Sequence, residues 1–139
     1  MTFKLNVDNR GDYLFFTVTG TNTSETVSGY MAEVVAACEK HDCFRILIHE
    51  KLEGPRLEAM DVFNLASEGA MRVLGRFEAI AYVDEQMGSM GDFAESVAVN
   101  RGMPLAFFPN VRDAEKWIES RTEGEAEQYI FWDGGDRKT

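Results

Sequence analysis

The stretch Phe44-Arg45-Ile46-Leu47-Ile48-His49 decides how the chain is read. A short β-branched-rich run of this kind reads as a central strand. Upstream of it, Val27, Tyr30, Met31, Val34, Val35 and Cys38 recur at the three-and-four spacing of one buried helix stripe, with Glu33, Glu39 and Lys40 on the wet side. Asn22 or Thr23 is placed to cap that helix, and Glu25 would close a capping box from Asn22. Downstream, Gly54-Pro55 breaks the chain, and Pro55 suits the first turn of a second helix expected from about Arg56 to Leu74. Its inward stripe reads as Leu57, Met60, Phe63, Ala66, Ala70, Val73 and Leu74, blurred by Val62 and Leu65, and Gly75 is placed to end it.

Working outward, Phe3 to Val7 and Tyr13 to Thr19 read as a hairpin around the turn residues Asp8 to Asp12. In the second of these strands both faces are apolar at positions 13 to 16, which predicts cover on both sides. Toward the C-terminus come a strand at Phe77 to Val83, a loop from Asp84 to Gly91, and a third helix with Asp92 as cap and Phe93, Ala94, Val97 and Ala98 facing in. A last strand at Leu105 to Phe108 and a fourth helix capped by Asn110, with Val111, Ala114, Trp117 and Ile118 on one side, complete the pattern. The order β-β-α-β-α-β-α-β-α predicts an α/β fold: a mixed, mostly parallel sheet with helices and an antiparallel N-terminal hairpin. One domain is expected over residues 1–120, followed by an acidic, Gly-rich tail over 121–139 with an aromatic knot at Tyr129, Phe131 and Trp132.

These residues resemble the SpoIIAA-like branch of the STAS superfamily. The likeness rests on the element order, on the strands Phe44–His49 and Phe77–Val83, and on the closing run Phe107 to Ile118, in which Asp113, Ala114, Trp117 and Ile118 match the family's ending. It implies a (βα) superhelix that acts by protein–protein contact. Sporulation-type members carry a phosphorylatable Ser at the start of the second helix, where phosphate adds negative charge at a helix N-terminus and alters docking. Here His49-Glu-Lys-Leu-Glu-Gly-Pro-Arg-Leu-Glu-Ala-Met60 holds no Ser or Thr. By the resemblance, the contact surface is Glu50, Leu52, Glu53, Arg56, Leu57 and Met60; some proteins of this fold hold apolar ligands.

Composition narrows the function classes. The 139 residues are 45% hydrophobic and 27% charged, with a net charge of -10, which disfavours nucleic acid and anionic membrane surfaces as partners. No run of about 18 apolar residues is present to span a bilayer. Asn6 and Asp8 interrupt the place where a secretory peptide needs its apolar stretch, and the two cysteines fit a reduced, cytoplasmic protein.

Three groups of residues could carry chemistry. His49, Glu50 and Glu53 are expected just past the end of the central strand, where open α/β sheets place their sites, and an imidazole beside two carboxylates would suit acid–base work. Cys38, His41 and Cys43 offer three soft ligands but no fourth, and read better as core thiols than as a metal site. Gly88 to Asp92 lacks the Lys and Ser/Thr of a phosphate loop. Ten phenylalanines and seven methionines are material for an adaptable apolar cavity. No catalytic motif is recognisable, and no cofactor is expected. The leading expectation is therefore a non-enzymatic interaction domain, with a homodimer as a candidate assembly; the alternative is a binder of a small apolar, lipid-like molecule.

Overall fold

The structure, a computed structural model, describes residues 3–54, 57–73, 76–84 and 89–121, with 69–73, 89 and 90 as backbone only. The tail from 122 onward, with its aromatic knot, lies outside the described residues, as do Pro55, Arg56 and Gly75. Strands β1 (Phe3–Asn9) and β2 (Leu14–Thr21) pair antiparallel from Phe3↔Gly20 to Asn9↔Leu14. Gly11 takes φ 89 in the turn between them, and its N–H donates to the Asn9 side chain at 2.9 Å. That conformation costs glycine little and an L side chain much.

Helix α1 (Ser24–His41) is capped by Thr23, whose Oγ1 accepts from the Thr26 N–H at 3.1 Å. It ends at Asp42 in the left-handed region, where the Asp42 N–H donates to the Glu39 carbonyl and the Cys43 N–H to the Cys38 carbonyl. This is a Schellman ending built on an aspartate rather than a glycine. Then follow β3 (Arg45–Glu53), α2 (Ala59–Val73), β4 (Ala79–Val83), α3 (Ser89–Asn100), β5 (Leu105–Phe108) and α4 (Val111–Glu119). Asn110 caps α4 as expected, its Oδ1 accepting from the Asp113 N–H at 2.8 Å.

Among the described residues the strands lie in the order β1-β2-β3-β4-β5, parallel from β2 onward. Right-handed crossovers that always step in one direction put their helices on one face. Accordingly α1, α2 and α3 share one side of the sheet, and α4, which leads to no further strand, packs on the other. Strand alternation sorts the core in the same way. Leu14, Phe16, Ile46, Ile48, Ile80 and Tyr82 face the three helices; Tyr13, Leu47, Ala81 and Val83 meet Ala114 and Ile118 of α4. The two-sided cover expected at positions 13 to 16 is thus present. Each large aliphatic side chain buried this fully contributes about 1.5–3 kcal/mol.

Four expectations need correction. The central strand does not stop at His49 but runs to Glu53, because β2 pairs with it along its whole length, from Leu14↔Ile46 to Thr21↔Glu53. Gly54, at φ 115, ends it. Helix α2 begins at Ala59 and turns Val62 inward while Met60 is 67% and Phe63 37% exposed, so its buried stripe is rotated from the one expected. Helix α3 begins at Ser89, which puts Asp92 inside its first turn rather than at its cap. Phe93 points outward on that helix, at 39% exposure.

Candidate functional site

Helix α2 packs on α1 and α3, and among the described residues its backbone keeps clear of the sheet. Between it and the sheet lies a cavity of about 130 Å³. Val34 of α1, Val62 and Leu65 of α2, Ile46 and Ile80 of the strands and Ala98 of α3 form apolar walls. A cavity of this order, lined by aliphatic and aromatic groups, is large enough for a benzene-sized molecule.

One end of the cavity is polar, and its residues come from three elements. Glu50 lies in the inward phase of β3, two residues after Ile48, and is buried. Tyr30 comes from the buried stripe of α1 and Tyr82 from the inward phase of β4. The Tyr82 hydroxyl donates to Glu50 Oε2 at 2.5 Å, and the Tyr30 hydroxyl donates to the same oxygen; the two hydroxyls also touch each other. One step beyond the last β3–β4 pair, His49↔Val83, the chain brings Asp84 to Glu50, and the two carboxyl groups share a hydrogen bond. The Tyr82 ring stacks on Phe107 of β5, with centroids 4.7 Å apart and planes at 27°. Glu50, Tyr82, Asp84 and Phe107 line the cavity, and Tyr30 stands behind them.

Burial dominates the electrostatics. Loss of water pushes the Glu50 carboxyl up to about 8, the hydrogen bond to Asp84 adds to the rise, and the two tyrosine hydroxyls offset part of it. Glu50 is therefore a neutral acid at pH 7, with a proton to donate to Asp84. Burial first, and then the Glu50 charge, push both tyrosine hydroxyls well above their ordinary value. All three groups keep their protons across the neutral range.

The acid–base group expected from His49, Glu50 and Glu53 is not assembled. Successive residues of a strand point to opposite faces, so His49 stands on the α4 side of the sheet while Glu50 faces the cavity. Glu53 is exposed at the end of β3, where its carbonyl accepts from the Asn22 N–H at 2.8 Å. The expected contact surface divides in the same way. Glu50 and Leu52 are buried in the strand rather than displayed on a loop, Leu57 is half-buried against the cavity, and Glu53 and Met60 are exposed; Arg56 lies outside the described residues.

Cys38 belongs to the core, as expected, and burial pushes its thiol up to about 12. Cys43 is half-buried, with its Sγ 3.6 Å from the Arg45 carbonyl. His41 is exposed, and among the described residues no group of three or more His, Cys, Asp or Glu is arranged to hold a metal ion. No helix among them is long and apolar enough to cross a membrane.

Sequence reasoning missed Tyr30, Tyr82 and Asp84 as site residues. The available signal was an acid, Glu50, at a core phase of a strand, with hydroxyl-bearing aromatics at core phases of its neighbours. A buried polar group needs a partner, and tyrosine can supply one from within an apolar stripe.

No family model matches the chain, and no curated relative does. Among solved structures it is similar to an uncharacterised DUF3478-family protein from Shewanella loihica PV-4, described as having a SpoIIAA-like fold. The two share 20% sequence identity at a TM-score of 0.53, over 84% of this chain and 94% of that one. Among the described residues, the five-stranded mixed sheet, its antiparallel first pair and its four helices give this chain a SpoIIAA-like fold.

Proposed function

We propose that the domain acts by binding a small, mainly apolar molecule between α2 and the sheet, with the molecule's polar group against Glu50, Tyr82 and Asp84. The observation that carries this reading is the placement of a buried, hydrogen-bonded acid in a mainly apolar cavity. A few convergent polar groups in an apolar pocket are the usual make-up of a ligand site. The same side chains favour binding over turnover: both tyrosines hold their protons, and Glu50 directs its own at Asp84. The free thiols Cys38 and Cys43 support a cytoplasmic setting.

The test is native mass spectrometry of protein purified without denaturation, paired with an NMR titration of toluene. Bound mass that is lost on denaturation, or shifts confined to cavity residues, is the expected result. Ala98→Leu, which fills the cavity from α3, should keep the fold and lose the binding. Toluene shifts that survive Ala98→Leu would place the molecule elsewhere and overturn the reading.

A second reading, contact with another protein or a second copy through the outer face of α2, is supported by the exposure of Met60 and Phe63 on that face. Met60→Glu with Phe63→Glu should then abolish association in sedimentation velocity, and a monomeric wild-type chain that captures no partner counts against it.

A further inference from the structure

We infer that the molecule held in the cavity is an ammonium: a small aryl- or alkylamine in its protonated form, its nitrogen against Glu50 and Asp84 and its apolar body under α2. The inference rests on the binding reading above and specifies the ligand's chemistry.

The first argument is a count of hydrogen-bond donors. The Tyr30 and Tyr82 hydroxyl protons both go to Glu50 Oε2, and the Glu50 carboxyl is tied to Asp84. Tyr30, Glu50, Tyr82 and Asp84 therefore offer a newcomer lone pairs and no uncommitted proton. A carboxylate or phosphate finds no donor among these four, whereas an ammonium brings three; the other polar residues lining the cavity are Asn22, Ser28 and Glu68. The second argument is charge. Glu50, Glu68 and Asp84 line the cavity, and no Lys, Arg or His does among the described residues. The third is the aromatic surface. The stacked Tyr82 and Phe107 rings line the space beside Glu50, and ring faces beside a carboxylate are the surroundings that favour a desolvated cation.

Proton balance follows from the geometry. An ammonium beside the Glu50–Asp84 pair favours a second negative charge there, so Glu50 gives its proton to solvent as the cation enters, and the amine keeps its own. The titratable groups facing Glu50 are Tyr30 from α1, Tyr82 from β4 and Asp84 just past the end of β4. Glu68 of α2 lines the same cavity, while Glu95 of α3 is engaged by the Phe107 N–H at 2.8 Å. All of these are acids or phenols, so none competes with the cation.

The test is isothermal titration calorimetry at pH 7 with benzylamine, benzoate and toluene, probes of one size and three kinds of head. Benzylamine should bind about tenfold or more tightly than toluene, a gain of about 1.4 kcal/mol, and benzoate should not bind. Repeating the benzylamine titration in buffers of different ionisation enthalpy should show proton release. Glu50→Gln, its fold checked by circular dichroism, should bring benzylamine close to toluene; Asp84→Asn asks the same question from the neighbouring strand end. If toluene or benzoate binds as well as benzylamine, the ammonium inference fails and the binding reading survives. Failure of all three probes to bind overturns both.

Discussion

Replacing Glu50 by glutamine removes a proton whose position the fold controls. A glutamate at its ordinary value of 4.5 ionises in the unfolded chain, whereas Glu50 in the folded chain holds its proton to about 8. Between those values the folded chain binds one proton more than the unfolded chain, so this group makes stability fall as pH rises. The slope is about 1.4 kcal/mol per pH unit, which amounts to about 3 kcal/mol by pH 7 and about 5 kcal/mol across the whole window. Glutamine has no proton to lose. Its amide N–H can donate to Asp84, and its carbonyl can accept from Tyr30 and Tyr82, which reproduces the bonds of the neutral acid. Urea denaturation of both proteins from pH 4.5 to 8 isolates the effect of the cluster, because titrating groups remote from Glu50 cancel in the difference. Glu50→Gln should roughly match the wild type at the acid end and exceed it by a margin that widens steadily toward pH 8. A difference that stays flat with pH would refute the reasoning, as would a variant that loses ground above pH 6.

Tyr82→Phe takes one of two hydroxyl donors from Glu50 Oε2. It should cost about 1–3 kcal/mol in chemical denaturation, as expected when a buried acceptor loses a partner. It should also move the Glu50 titration, followed by carbon-13 NMR of the carboxyl, to higher pH, since the Tyr82 bond holds that value down. Asp42→Gly relieves a left-handed aspartate at the end of α1 and removes a negative charge from the negative end of a helix dipole. A gain of about 1 kcal/mol and a higher melting temperature are expected. Asn110→Ala deletes the cap of α4 and should cost about 1 kcal/mol in the same melt.

The elements that could be read from the sequence are those whose signals are local. Thr23 and Asn110 cap helices because their side chains reach N–H groups three residues on, and that chemistry needs no distant partner. Leu105 to Phe108 was readable as a strand between Pro104 and the Asn110 cap. The second half of β3 was not, because Glu50, Lys51 and Glu53 look like loop residues until β2 is seen paired beside them. The inner face of α2 was illegible for a related reason. Met60, Val62, Phe63 and Leu65 are apolar all round, and only the helix's seat across α1 and α3 selects Val62 and Leu65 over Met60 and Phe63.

The sequence by itself determined the succession of strands and helices, the hairpin, two helix caps and the buried stripe of α1, since each follows from spacing and short-range hydrogen bonding. It also held the pattern for which the SpoIIAA-like likeness was named. The tertiary structure alone decided the site. Tyr30, Glu50 and Tyr82 lie 20, 32 and 52 positions apart in their pairs, and only the parallel crossovers bring them to one end of one cavity. The polarity of that cluster follows from burial, a property no residue has until the chain has closed around it. Lost hydration turns Glu50 from an ordinary surface-type acid into a neutral one, and the same lost hydration makes the bonds from Tyr30, Tyr82 and Asp84 necessary.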